Sequence, residues 1–174
     1  MKRFALGLVF VILVSAVPVF AGAASTNLAV SASIGNNCTI ATSPVAFGAY
    51  DPVVTNLTTP LDGAGTVSIT CTKGATTTVA LGLGANATGT TRRMTDGAAD
   101  FLTYEAYQPP DTTPGTGCSY TSPTVWGTSG ANLFTPLAAP NKSARVYNVC
   151  GRVTAGQDQP AGSYTDTVLA TVNF

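Results

Sequence analysis

The chain has 174 residues, of which 45% are hydrophobic and only 9% charged, with eight basic residues balancing eight acidic ones. Histidine is absent and Glu105 is the single glutamate, which removes the commonest general base and the commonest transition-metal ligand. No basic run occurs anywhere, so nucleic acid is not an expected partner; Thr, Ala, Gly and Val dominate instead, as in an exported β protein.

Lys2 and Arg3 precede an apolar run from Phe4 to Val14, and Ala21-Gly22-Ala23 offers the small residues of a cleavage site. Residues 1–23 therefore read as a cleaved secretory signal peptide; Ser15, Pro18 and the Ala-Gly-Ala-Ala end interrupt the run and argue against a membrane anchor. The remaining 151 residues suffice for one domain with a core and carry a formal charge of −2. All four cysteines lie in this part, in a compartment that oxidises paired thiols. They allow three pairings, of which Cys38 with Cys71 and Cys118 with Cys150 is preferred, each closing about thirty residues. A zinc site is disfavoured because no CxxC pair exists.

In Ser25–Ile34, Leu28, Val30, Ala32 and Ile34 alternate with small or polar neighbours, the pattern of a one-faced strand, and Gly35-Asn36-Asn37 breaks it. This segment is expected either to swing as a separate arm or to pair within its own sheet. Cys38-Thr39-Ile40 begins a strand, and Pro44–Pro52 supplies an apolar segment closed by a Tyr-Asp-Pro turn. Asp62-Gly63-Ala64-Gly65 predicts a turn into the strand Thr66–Cys71, and Thr77–Gly84 predicts another. Arg92-Arg93-Met94, a loop with the Asp96-Gly97 hairpin signal, and the central strand Phe101–Tyr107 follow.

Gln108–Pro123 is a Pro/Gly/Thr-rich excursion carrying Cys118, before Thr124-Val125-Trp126-Gly127 returns to packing material. Lys142–Val153 is a further strand, and Ala155–Gly162 turns the chain into Gly162–Phe174. There Tyr164, Val168, Ala170, Val172 and Phe174 share one face, with Thr165, Thr167, Thr171 and Asn173 on the other. An inward-facing Phe174 at the end of such a strand expects something to cover it. About seven short strands, Gly/Pro/Asn turns and no amphipathic helix predict an all-β, immunoglobulin-like antiparallel sandwich.

Catalytic constellations are scarce. Without histidine there is no Ser-His-Asp or Cys-His set, and disulfides would consume the thiols. Asp51, Asp62, Asp96, Asp100, Asp111, Asp158 and Asp166 nearly all sit beside turn residues, where capping of backbone N–H groups is the ordinary role. No metal or cofactor is expected. Arg92 and Arg93, adjacent on a strand, point to opposite faces and are expected on a solvated surface; Trp126 is expected in the core or at a sandwich edge.

Several fragments, in this order, carry a resemblance: Cys38-Thr39-Ile40; Phe47-Gly48-Ala49-Tyr50-Asp51-Pro52; Gly63-Ala64-Gly65 through Val67-Ser68-Ile69-Thr70-Cys71; Leu81-Gly82-Leu83-Gly84; Arg92-Arg93-Met94; Leu102-Thr103-Tyr104; Thr124-Val125-Trp126-Gly127; Ala155-Gly156-Gln157 leading to Gly162–Val168; and Thr171-Val172-Asn173-Phe174. Together they make the chain resemble the spore coat protein U family, whose members include the pilins of archaic, Csu-type chaperone-usher pili. The resemblance implies an incomplete immunoglobulin-like sandwich, residues 37–174, completed by a donor strand, with residues 24–36 as the N-terminal donor arm. By position it implies donor residues Leu28, Val30, Ala32 and Ile34, and an acceptor and chaperone-binding strand with Val168, Ala170, Val172 and Phe174. The partners implied are a periplasmic chaperone, an outer-membrane usher and other pilus subunits. The location implied is the periplasm in transit and then the cell surface, as a structural, non-enzymatic subunit of a pilus or coat serving adhesion or biofilm formation. Cys38–Cys71 matches the family's usual bridge, whereas the Cys118–Cys150 pairing rests on this chain's own residues. The competing reading is a monomeric secreted carbohydrate- or surface-binding module using Trp126, Tyr104 and Tyr107 as an aromatic patch.

Overall fold

The computed structural model describes residues 20–174, so the expected signal peptide lies, through residue 19, outside the described residues. The chain divides into two units, the segment up to Ser33 and the domain Ile34–Phe174. Residues 20–33 carry no regular secondary structure and are exposed throughout.

The domain is all-β apart from a 3-10 turn at Gly130–Asn132. Its strands are β1 (Cys38–Ala46), β2 (Leu61–Cys71), β3 (Thr78–Leu81), β4 (Arg92–Thr95), β5 (Phe101–Tyr107), β6 (Arg145–Val153) and β7 (Ala170–Asn173). Five of them form one sheet in the order β1-β2-β6-β5-β4, and β3 with β7 forms a second, two-stranded sheet. All ladders between these strands are antiparallel. The sandwich expected from the alternating apolar pattern is present, with one layer much narrower than the other.

The core fills the space between the layers. Val67 and Ile69 of β2, Val79 and Leu81 of β3, Ala106 of β5, and Tyr147 and Val149 of β6 are buried against Trp126 and Phe134. Trp126 is wholly buried; its indole N–H donates to the Val79 carbonyl at 2.8 Å and its ring lies 5.0 Å from that of Phe134, which in turn meets Tyr147 at 4.9 Å. Burial of Trp126 withdraws it from any exposed aromatic patch, so the carbohydrate-platform reading loses its central ring.

Both preferred disulfides are formed. Cys38–Cys71 joins facing residues of β1 and β2, and Cys118–Cys150 ties the Pro/Gly-rich excursion to β6. On the chain-entropy model each contributes roughly 3 to 4 kcal/mol.

Two expectations are corrected. Asp62-Gly63-Ala64-Gly65, expected as a turn, lies inside β2: Asp62 faces Arg152 of β6 across the ladder and accepts from its guanidinium at 2.6 and 2.8 Å. The glycines serve close packing there, because a Cβ on Gly65 would lie 2.7 Å from the Ser43 carbonyl oxygen, and one on Gly151 would lie 2.6 Å from Val45 and 2.7 Å from Phe47. These bare backbone positions let the end of β1 and the residues after it lie across the inner face of β2 and β6.

Arg92 is the second correction. Expected in solvent, it is fully buried; Nη2 donates to the Trp126 carbonyl at 2.6 Å and to Gly82 at 2.8 Å, while Nη1 pairs with Glu105, the chain's single glutamate. A guanidinium so placed satisfies carbonyls at the end of β3 and beside Trp126 that have no ladder partner there, and the carboxylate offsets its charge. Arg93 does point the other way, over the Phe101 ring at 3.9 Å.

Candidate functional site

The C-terminal segment is where the domain stays open. β7 pairs with β3 in the register Leu81↔Ala170 through Thr78↔Asn173. Upstream of β7 the backbone contacts continue, with Gly82 N–H donating to Leu169 O at 2.9 Å, Ala85 N–H to Thr167 O at 3.0 Å, and Thr95 and Thr165 exchanging two bonds of 2.9 Å. Residues 165–173 are thus tied along one backbone edge. No strand pairs with the other edge among the described residues.

Side-chain burial follows the period-two pattern of the sequence. From Tyr164 to Asn173 even-numbered residues are half-buried and odd-numbered ones exposed, including Leu169 at 74%. Val168, Ala170 and Val172 pack on the core from its open side. Phe174 departs from the expected inward-facing anchor: it lies beyond β7 and is 55% exposed.

Asp166 is the polar member of the inward row. Both its oxygens are used, Oδ2 by the Tyr104 hydroxyl at 2.7 Å and Oδ1 by the Asn86 backbone N–H at 3.1 Å and side-chain amide at 3.0 Å. Burial and the hydrogen bond to Asp166 push the Tyr104 hydroxyl well above the usual tyrosine range, so it stays a donor. Gly84, at φ +98°, leaves room for the carboxylate; a Cβ there would meet Asp166 Oδ2. This clamp fixes the C-terminal segment against β5 and the β3–β4 connection. Its sequence signal is the parity of Asp166, on the inward face of an otherwise apolar row.

Between β1 and this segment runs a groove. One stretch of it, about 300 Å³, has Thr42, Val45 and Phe47 on one wall and Tyr164, Val168 and Ala170 on the other. Its floor is Val67, Leu81, Ala106 and Val149, which are core residues of both sheets. A second stretch of about 590 Å³ shares Val45, Phe47, Met94 and Tyr164 with the first and is lined further on by Leu102, Val153, Ala49, Tyr50 and Pro52. The groove is therefore an opening onto the hydrophobic core, bordered by the free edge of β1 and the free edge of the C-terminal segment. Apolar surface at such a place favours an extended segment whose backbone pairs with an edge and whose alternate side chains enter the core.

Leu28, Val30 and Ile34 are 87%, 87% and 88% exposed, and Ala32 is exposed as well. At about 3.3 Å per residue, Leu28 to Ile34 would extend about 20 Å, within the roughly 26 Å from Tyr164 to Val172. Of the expected acceptor residues, the structure brings Val168 and Ala170 into the groove wall and Val172 onto the same core, and leaves Phe174 outside.

The acidic residues hold local structure. Asp51, Asp96 and Asp111 accept backbone N–H groups in turns, Asp62 pairs with Arg152, and Asp166 forms the clamp described above. No group of three metal-ligating side chains occurs among the described residues.

The site thus lies on a two-layer antiparallel sandwich with a groove running beside its narrower sheet. The chain belongs to the Spore Coat Protein U domain family, whose model matches residues 24–171. It is 37% identical over 177 residues to Protein U of Myxococcus xanthus, covering 93% of this chain and 91% of that one. Among solved structures it is similar to a chain in the CsuC-CsuE chaperone-tip adhesion subunit pre-assembly complex from archaic chaperone-usher Csu pili of Acinetobacter baumannii. That match has a TM-score of 0.53 and 21% identity over 80% of this chain. This chain spans 40% of the length of the matched one, and the likeness is one of fold.

Proposed function

We propose that the chain is an exported, non-catalytic structural subunit of a surface fibre or coat, assembled on a chaperone-usher route by donor-strand complementation. The observation that carries this reading is the groove: an opening onto the core between two unpaired backbone edges, in a chain that also holds an exposed segment of four apolar residues at period two. In transit, a periplasmic chaperone would cover the groove with a strand of its own, and at an outer-membrane usher the arm of a neighbouring subunit would replace it. Val168, Ala170 and Val172 are the acceptor side chains of this reading, with Leu28, Val30, Ala32 and Ile34 as the donor set; Phe174 serves as an outlying contact. Family membership and the fold support the reading, and the relative named Protein U supports a coat as the alternative product of the same assembly chemistry. Adhesion or biofilm formation follows as the role of the assembled fibre.

The test is to express the mature chain and a form lacking Ala24–Gly35 with the cognate chaperone and to look for polymers on native and non-reducing gels. Polymers are expected from the full chain alone, and Val172→Asp should abolish both chaperone capture and polymer formation. Polymers from the truncated form would overturn the reading.

A further inference from the structure

Outside the groove the domain carries a knob at one pole and a socket at the other. The knob is the turn 52–58 between β1 and β2, where Val53, Val54 and Leu57 are 76%, 73% and 56% exposed. Its backbone is nonetheless tightly held: Asp51 Oδ1 accepts the Val53 and Val54 N–H groups at 3.0 and 3.1 Å, and Asn56, only 3% exposed, donates its N–H to Asp51 O at 2.7 Å and its side-chain amide to Thr59 O at 2.9 Å. Gly156 N–H donates to Asn56 O at 2.8 Å, which ties the knob to the 154–158 loop, and that loop carries the exposed Asp158 two residues further on. Three apolar side chains are thereby presented to water by a turn that is not free to fold them away.

The socket lies at the opposite end of β1 and β2. It is an open concavity of about 560 Å³ whose lining includes Thr39, Thr70, Thr72, Lys73 and Lys142, so methyl groups and lysine stems form its walls. Apart from Lys2 these are the chain's only lysines, so the socket is basic where the knob pole carries Asp51 and Asp158.

Resting on the groove reading above, chain direction decides which poles meet. Thr42 of β1 lies at the Ala170 stretch of the groove and Phe47 extends to the Tyr164 end, so β1 and the C-terminal segment run antiparallel. An inserted strand is parallel to one and antiparallel to the other. The layer it enlarges is the two-stranded one, and antiparallel pairing with the C-terminal segment matches the ladders between the domain's strands. Ile34 of the donor then emerges at the Tyr164 end, where Tyr50 and Pro52 line the groove and the knob begins. In the donor, Thr72 holds this stretch at once: its hydroxyl donates to Gly35 O at 3.3 Å and its N–H to Asn37 O at 2.9 Å. Only a few ångströms of free chain, about 7 Å for two residues, separate the inserted strand from the donor's socket pole. An arm folded back into its own groove would start from that same pole and run parallel to the C-terminal segment, which the antiparallel arrangement in trans avoids.

We propose that the Val53-Val54-Leu57 knob of each accepting copy seats in the Thr/Lys socket of the copy that donates its arm, with Asp158 beside Lys73 or Lys142. The contact is head-to-tail between copies of the same chain, so it repeats along a fibre without closing. It gives each joint a second, non-covalent point of attachment that the arm alone does not supply.

Zero-length carbodiimide cross-linking of polymers of the unmodified chain, mapped by mass spectrometry, tests this contact. Links from Lys73 or Lys142 to Asp158 are expected in polymers and not in the chaperone-bound single subunit, with a fall of at least fivefold in Val54→Asp polymers. Absence of polymer from the unmodified chain would overturn the groove reading and this contact with it. Polymers that need the arm, yet whose lysines link to Asp96, Asp100 or Asp111 as readily as to Asp158, would overturn the knob and socket alone. So would Asp158 links undiminished by Val54→Asp.

Discussion

β6 and β7 are both apolar alternating strands, and the domain treats them in opposite ways. β6 is paired on both edges, with β2 and β5, and its inward residues Tyr147, Val149 and Val153 are 1%, 6% and 0% exposed. Among the described residues β7 is paired on one edge only, with β3, and its inward residues remain half-buried beside the groove. The difference is one missing neighbour. A strand with two neighbours and a covered face contributes to a stable core, whereas a strand with one neighbour and a half-covered face offers the same kind of surface to another chain.

Substitutions that break this comparison should act in different measurements. Val149→Asp places a charge in the closed core and should cost about 4 kcal/mol or more, read as loss of the cooperative denaturant transition. The same change at Val172, where the proposed function expects loss of assembly, should shift the transition of the isolated domain by only about 1 kcal/mol, because its side chain can reach water through the groove. Equal destabilisation at the two positions would mean that the groove is closed in solution.

Replacing Cys118 and Cys150 by Ser should cost about 3 kcal/mol and expose the 108–123 excursion to limited proteolysis while leaving the β3–β7 side intact. The smallest expected effect is at the knob. Hydrogen bonds from the N–H groups of Val54, Val53 and Thr55 hold the Asp51 carboxyl below its usual range. Its stabilisation is therefore present above the unfolded carboxylate pKa and is lost as pH falls through the lower folded value. Hydrogen exchange at Val53, Val54 and Thr55 should be protected at pH 6, faster in Asp51→Ala, and similar in the two proteins once the wild-type carboxyl is protonated in acid.

Much of this was legible in the residues. The parity of Tyr164 to Val172 foretold which side chains turn inward, because a strand has a period of two wherever it lies. The Asp96-Gly97 hairpin, the buried Trp126 and the stapled excursion follow from equally local chemistry. Asp62–Gly65 misled because a Gly-rich stretch after an acid has turn chemistry, and only the approach of Phe47 and Ala46 to Gly63 and of Ser43 and Pro44 to Gly65 makes those glycines necessary within a sheet. Arg92 misled for a related reason: its carbonyl acceptors at Gly82 and Trp126 lie 10 and 34 residues away, so nothing near it in sequence announces a buried guanidinium.

The amino-acid sequence by itself determined most of the strands, the inward row from Tyr164 to Val172 and the apolar alternation at 28–34, since each depends on residue type and spacing along one segment. Tertiary structure alone decided that the second sheet has two strands, that the gap beside β7 opens onto the core, and that Arg92, Glu105 and Asp166 serve packing. Each of these depends on which distant segments become neighbours, and the energy of a buried charge or an unpaired edge exists only once those neighbours are in place.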